Sequence, residues 1–166
     1  MNTFIKSIIA LSLIFVITGC SSDDDKGTTE TVKTFEELTQ ADIEALESTM
    51  SDAILNASND TGVLWENGKV LLYKTNLGRF GKMKVLNIDP SDNYKLTIEV
   101  VTYATDGMIY SSDTFFEVPG TFVVDMDEIV LTSDPDNSDF WWNRAGGDLT
   151  RMETRNDFVF VEYNLN

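Results

Sequence analysis

The chain has no histidine and a single cysteine, Cys20, in 166 residues. The first absence excludes a Ser-His-Asp triad, a histidine-ligated zinc and an imidazole base. The second leaves no partner for a disulfide within the chain. No glycine-rich phosphate loop is present, because Gly78, Gly81 and Gly107 are scattered singly, as turn glycines are. Positive charge is scarce as well: 12 Lys and Arg stand against 28 Asp and Glu, for a formal net charge of −16. Such a surface repels nucleic acid and anionic lipid headgroups, so no nucleic-acid partner is expected. It suits plain solubility, divalent cations or a basic partner. The chemistry left open is that of carboxylates, alone or around a metal.

One apolar run extends over 8–17, broken only by Ser12 and preceded by Lys6. It is shorter than the roughly 20 residues that span a bilayer, and the layout is that of a secretory signal peptide. The run ends in Ile17-Thr18-Gly19-Cys20. An aliphatic residue, two small residues and a cysteine resemble the lipobox of bacterial lipoproteins. The resemblance implies cleavage before Cys20, lipid on its sulfur, and a membrane partner reached through that lipid, each buried CH₂ contributing about 0.8 kcal/mol. A lipidated Cys20 offers neither a nucleophile nor a thiolate ligand. Ser21-Ser22-Asp23-Asp24-Asp25 resembles the acidic tag that Bacteroidota place after the lipidated cysteine. That implies an outer-membrane, cell-surface location; a solvated tether is the other reading. The expected organisation is a signal peptide at 1–19, a lipidated cysteine and flexible acidic tether at 20–34, and a single helix-plus-β domain at 35–166.

Within the domain, Leu38, Ile43, Leu46, Met50, Ile54 and Leu55 recur at helical spacing, predicting one amphipathic helix over 35–57 with Thr39 or Asp42 as its cap. Packing on the domain's own sheet is the expected use of that stripe; a partner-binding helix is the alternative. From Val63 the texture turns to strands. Asn67-Gly68 between apolar runs predicts a hairpin. Residues 79–88 form the next strand, and 89–93 a turn. Residues 94–100 alternate, with Tyr94, Leu96, Ile98 and Val100 on the core face. Val101 and Tyr103 fall out of that phase, which predicts a bulge or an edge crossing near Val100. Asp106-Gly107 predicts a second hairpin and Pro119-Gly120 another turn. At the C-terminus Val159, Val161 and Tyr163 should share one face, with Phe158 and Phe160 on the other. Short strands at close spacing predict a mainly β fold, an antiparallel sandwich or small barrel preceded by one amphipathic helix. The stretch 72–85 resembles a segment of the haem-scavenging lipoproteins of the same bacteria. Haem ligation there uses histidines, so the resemblance implies no haem site in this chain.

Three constellations could carry chemistry. Asp134, Asp136 and Ser138 have the alternate spacing of a calcium loop, with Asp125 and Asp127 as further oxygen donors. The pattern departs from an EF-hand at Asp139 and Ala145, and a solvated turn explains the same residues. Phe140-Trp141-Trp142-Asn143-Arg144 cannot place all its aromatics on one face of a strand. A ligand site of Trp141, Trp142, Asn143 and Arg144, with an exposed indole beside polar groups, would suit a glycan; a core plug is the competing reading. Asp125, Asp127 and Glu128 could pair as acid and base for glycoside cleavage. The favoured expectation is a surface-anchored, non-catalytic binding or structural module for a glycan or protein ligand, with no cofactor unless calcium. The alternative is a calcium- or carboxylate-dependent hydrolase subunit.

Overall fold

A computed structural model describes residues 32–165. The signal peptide expected at 1–19, the expected lipidated Cys20 and the expected tether as far as residue 31 lie outside the described residues. In chain order, the short helix α1 (Gln40–Glu44) precedes strands β1 (Ile54–Asn59), β2 (Gly62–Val63), β3 (Val70–Lys74), β4 (Phe80–Asp89) and β5 (Lys95–Tyr103). Then come β6 (Ile109–Val118), β7 (Phe122–Asp125), β8 (Val130–Thr132), β9 (Phe140–Gly146), β10 (Leu149–Thr154) and β11 (Val159–Tyr163). All pairings are antiparallel. They make a five-stranded sheet in the order β11-β3-β4-β5-β6 and a six-stranded sheet in the order β2-β1-β10-β9-β7-β8. The two sheets stay open, so the fold is a sandwich and not a closed barrel.

Between the sheets lies the main core. Leu71, Tyr73, Met83, Val85, Leu96, Ile98 and Val100 come from one side, and Val124, Phe140, Trp142 and Met152 from the other. Tyr73 and Phe140 both pack on the Phe158 ring, and Trp142 packs on Trp65. Gly81 is required by close approach: a Cβ there would stand 2.2 Å from the Tyr73 ring. The turn 106–107 joins β5 to β6, with Gly107 at positive φ. The C-terminal strand splits as its alternation requires. Phe158 and Phe160 enter the main core, while Val161 and Tyr163 pack in a second cluster outside the five-stranded sheet.

That second cluster explains the phase of β5. Thr97, Val101 and Tyr103 lie on the outer face; Thr97 is buried, and residues 35–50 pack against Val101 and Tyr103. The alternation of β5 is intact and Tyr103 needs no phase shift. The bulge near Val100 exists, but its one extra residue belongs to β6, between the pairs Ile98↔Phe116 and Val100↔Asp113. The cover is fastened by Lys82, which is only 4% exposed. Its Nζ donates to the carbonyls of Phe35 (2.6 Å) and Leu38 (2.8 Å), and burial holds this ammonium below the usual lysine pKa. Tyr103 Oη donates to Leu38 as well (3.0 Å).

Two expectations are corrected. The helix predicted over 35–57 shrinks to α1, capped by Thr39 in a capping box with Asp42, and a 3₁₀ turn at Glu47–Thr49. Ser48, Thr49, Ser51 and Asp52 are weak helix formers, and Ser51 exchanges backbone hydrogen bonds with Phe160 instead. Ile54 and Leu55, the end of the supposed stripe, belong to β1 and pair with β10. Asn67-Gly68 makes a turn but not a hairpin: Val63 pairs with Ser58, while Val70 pairs with Lys84 and Tyr163. Only Gly68 has positive φ there, and the turn carries the chain from β2 in one sheet to β3 in the other. Residues 140–154 add a hairpin of their own, β9–β10, turning at Gly147-Asp148.

Ile43 is fully buried against the outer face. Ile43→Ala should therefore cost about 2–5 kcal/mol, the range for truncating a buried aliphatic side chain. The check is the urea midpoint; an unchanged midpoint would mean that residues 35–50 add nothing to the fold.

Candidate functional site

The β7–β8 loop forms because Asp125 Oδ1 accepts the backbone N–H groups of Asp127 (2.9 Å) and Glu128 (3.1 Å), an Asx-type turn. Ile129 closes the loop at φ 53°, a costly conformation for a β-branched residue. The loop sends Met126 into the main core and buries the Asp127 side chain beside it. Asp127 Oδ1 accepts from Thr75 Oγ1 and from Arg79 Nη1, each at 2.9 Å. Both donors flank the β3–β4 turn of the opposite sheet. The Arg79 guanidinium lies 4.0 Å from the Tyr110 ring centroid, and Tyr110 Oη donates to Glu128 (2.6 Å).

Asp139, at the entry to β9, completes the group. Its Oδ1 accepts from Asn76 N (2.8 Å) and its Oδ2 from Met126 N (2.6 Å). Carboxylate oxygens of Asp125, Asp127 and Asp139 lie within 4.8 Å of one another. Asp127 and Asp139 are buried and Asp125 is half-buried. Burial pushes the Asp139 carboxyl up to about 6, against the pull of its two backbone donors and with the charges of Asp127 and Asp125 adding to the rise. Burial also raises Asp125.

Of the residues with calcium-loop spacing, Asp125 and Asp127 converge, and Asp139 joins them in place of the others. Asp134 and Asp136 are exposed on the outer turn, where Asp134 accepts from Asp136 N and Asn137 Nδ2. Ser138 is buried, donating to Pro135 O and accepting from Arg155 Nε. Sequence spacing selects the exposed side of the segment because the direction in which Asp139 faces depends on the pairing of β9 with β7. Among the acid–base candidates, Asp127 is 1% exposed and Glu128 faces solvent.

The aromatic run alternates along β9. Phe140 and Trp142 point into the core and are fully buried, and Trp142 Nε1 donates to Tyr94 O (2.8 Å). Trp142 therefore presents no face to a ligand. Arg144 is also set apart: its guanidinium packs over the Tyr94 ring and bonds Asn93 and Gly147. Trp141 points the other way, half-buried on the outer face of the six-stranded sheet. The register sets Trp141 between Glu153 of β10 and Val123 of β7, with Ile54 of β1 beyond Glu153. Directly paired residues share a face. In the adjacent row Asn143 pairs with Arg151, and Arg151 with Asn56. Glu153 Oε1 accepts from Asn143 Nδ2 and from Arg151 Nε, each at 2.6 Å. Sequence reasoning finds Trp141 and Asn143 here but misses Arg151 and Glu153. The signal for them is the Gly146-Gly147 pair, which marks the turn that folds β10 back on β9.

No family model, curated protein or solved structure matches the chain.

The rise in Asp139 has a sign. An acid with a folded pKa above its ordinary 3.8 holds its proton longer in the folded state. Its contribution to stability is present below the unfolded value and is lost as pH rises through the folded one. In chelated buffer, the urea midpoint should be higher at about pH 5.5 than at about pH 7.5, and Asp139→Asn should flatten that difference. The same variant should cost about 1–3 kcal/mol, because one of the N–H groups of Asn76 and Met126 then loses its acceptor. A midpoint that falls on acidification would show that Asp139 stays ionised.

Proposed function

We propose that this protein is a lipid-anchored, non-catalytic binding module of the cell surface that holds a glycan on the outer face of its six-stranded sheet. The observation that supports it is the register that centres Trp141 among Glu153, Asn143 and Arg151 on an uncovered sheet face. A half-exposed indole offers an apolar plane to the C–H face of a sugar ring. Asn143 is itself buried; its amide and the Arg151 guanidinium both hold the Glu153 carboxylate, so the guanidinium and carboxylate beside Trp141 meet sugar hydroxyls already oriented. The opposite outer face, on the five-stranded sheet, is occupied by residues 35–50.

The anchor rests on Ile17-Thr18-Gly19-Cys20, and the surface location on the acidic residues that follow. Cells fed an alkyne fatty acid should label the wild-type chain and leave Cys20→Ser unlabelled. Equal labelling of both would remove the anchor from this reading.

For the binding face, the full chain in detergent is titrated with a panel of surface polysaccharides and followed by tryptophan emission. Trp141→Ala should weaken any binding tenfold or more, about 1.4 kcal/mol. Arg144→Ala, on the far side of the strand, should stay within about twofold, a few tenths of a kcal/mol. Binding that survives Trp141→Ala undiminished would sink the proposed face.

A further inference from the structure

We infer that Asp125, Asp127 and Asp139 form a binding site for one divalent cation of the calcium class, where the β7–β8 loop meets the β3–β4 turn. The inference does not rest on the glycan reading and concerns a different place in the fold. The first observation is the convergence of three carboxylates within 4.8 Å. Calcium binds oxygen at about 2.3–2.6 Å, so oxygens that share one ion lie no more than about 5 Å apart. The second observation is independent of that clustering. Asp127 Oδ2 is completely buried and has no hydrogen-bond partner among the described residues, while Oδ1 of the same carboxylate holds both Thr75 and Arg79. A buried carboxylate oxygen without a donor calls for a partner, and a cation shared with the neighbouring carboxylates supplies one.

Charge points the same way. Three carboxylates meet one guanidinium, and Arg79 is already engaged by the partnered oxygen of Asp127. One doubly charged ion balances the remainder. The donor set is all hard oxygen, with no histidine in the chain, which favours calcium over the softer transition metals. The three residues leave part of calcium's coordination sphere for solvent. Asp125 supplies the opening, because it is half-buried while the other two carboxylates lie behind it. Its Oδ1 is fixed by the loop's own N–H groups, and its second oxygen is left to meet an ion.

The test uses the full chain in detergent, exchanged into chelated buffer near pH 7.5 and titrated with calcium chloride by calorimetry. Parallel melts are run with and without millimolar calcium. We expect one saturable site and a melting temperature that rises by several degrees once calcium exceeds its dissociation constant about a hundredfold. Asp125→Asn should weaken binding at least tenfold, with the far-ultraviolet spectrum unchanged. This rim variant keeps the experiment decisive even if Asp127→Asn fails to fold, since Asp127 also ties the two sheets. Asp134→Asn combined with Asp136→Asn should bind as wild type, which separates the site from diffuse attraction to an acidic surface. No calcium-dependent shift in the wild type would overturn the proposal. Binding that depends on Asp134 and Asp136 but not on Asp125 would overturn it equally.

Discussion

The two sheets are tied to each other at one end by buried carboxylates, and the arrangement of everything at that end follows from them. Apolar packing holds sheets together but is non-directional, so it leaves their relative slide to polar contacts. Asp139 accepts from the backbone of Asn76 on one sheet and of Met126 on the other. Asp127 reaches across to Thr75 and Arg79. Thr102 Oγ1 donates to Met126 O (2.6 Å) and shares a hydrogen bond with Tyr73 Oη. The bonds of Asp139 to Asn76, of Asp127 to Thr75 and Arg79, and of Thr102 to Met126 span the interface in a low-dielectric setting, where an unmade bond is costly. The opposite end is fixed more lightly, through Trp142 Nε1 on Tyr94 O and Tyr94 Oη on Asp148.

This division gives the molecule two separate faces for chemistry. The carboxylate end is enclosed and charged. The Trp141 face is open and mixed, because nothing in the described chain packs on it. The N-terminal segment had one sheet to cover, and it covers the five-stranded one. That choice is visible in β3: Val70, Leu71, Leu72 and Tyr73 are all buried, as a strand enclosed on both faces requires. No strand of the six-stranded sheet has such a run, and its outer positions include Asn56, Arg151 and Glu153.

How far the sequence foretells this depends on which residues are considered. Strands with clean alternation, such as β5, and the split of Phe158 and Phe160 from Val161 and Tyr163 are legible, because period-2 burial is local information. Thr39 is legible as a cap for the same reason. Ile54 and Leu55 mislead, since two apolar residues continue a helical stripe as readily as they begin a strand. Asn67-Gly68 misleads because a turn signal specifies a reversal and not the partner strand. The Trp141–Asn143 half of the proposed binding face is visible. Arg151 and Glu153 are not, because they become neighbours only through the register of β10 on β9. Asp125 and Asp127 are visible as oxygen donors, whereas Asp139 stands where a linear calcium motif wants glycine. Its role is three-dimensional, fixed where Asp139 N bonds Val124 O and Arg155 N bonds Asp139 O.

Lys82 has a mechanical consequence. A pull on the chain from its N-terminal side reaches the domain at Lys33, whose N–H bonds Tyr163 Oη (3.1 Å), and then at the segment that Lys82 clasps through the Phe35 and Leu38 carbonyls. Phe35, Leu38 and Ile43 rest on Val70, Leu72, Phe80 and Tyr103, which belong to the three middle strands of the five-stranded sheet. Beyond that single bond to a side chain of the edge strand β11, tension therefore enters at the centre of a sheet and spreads over several strands at once. To tear the clasp loose, the carbonyl bonds of Lys82 and the packing around it must fail together in shear. The ladder bonds of an edge strand, which would open in succession like a zip, are spared the load.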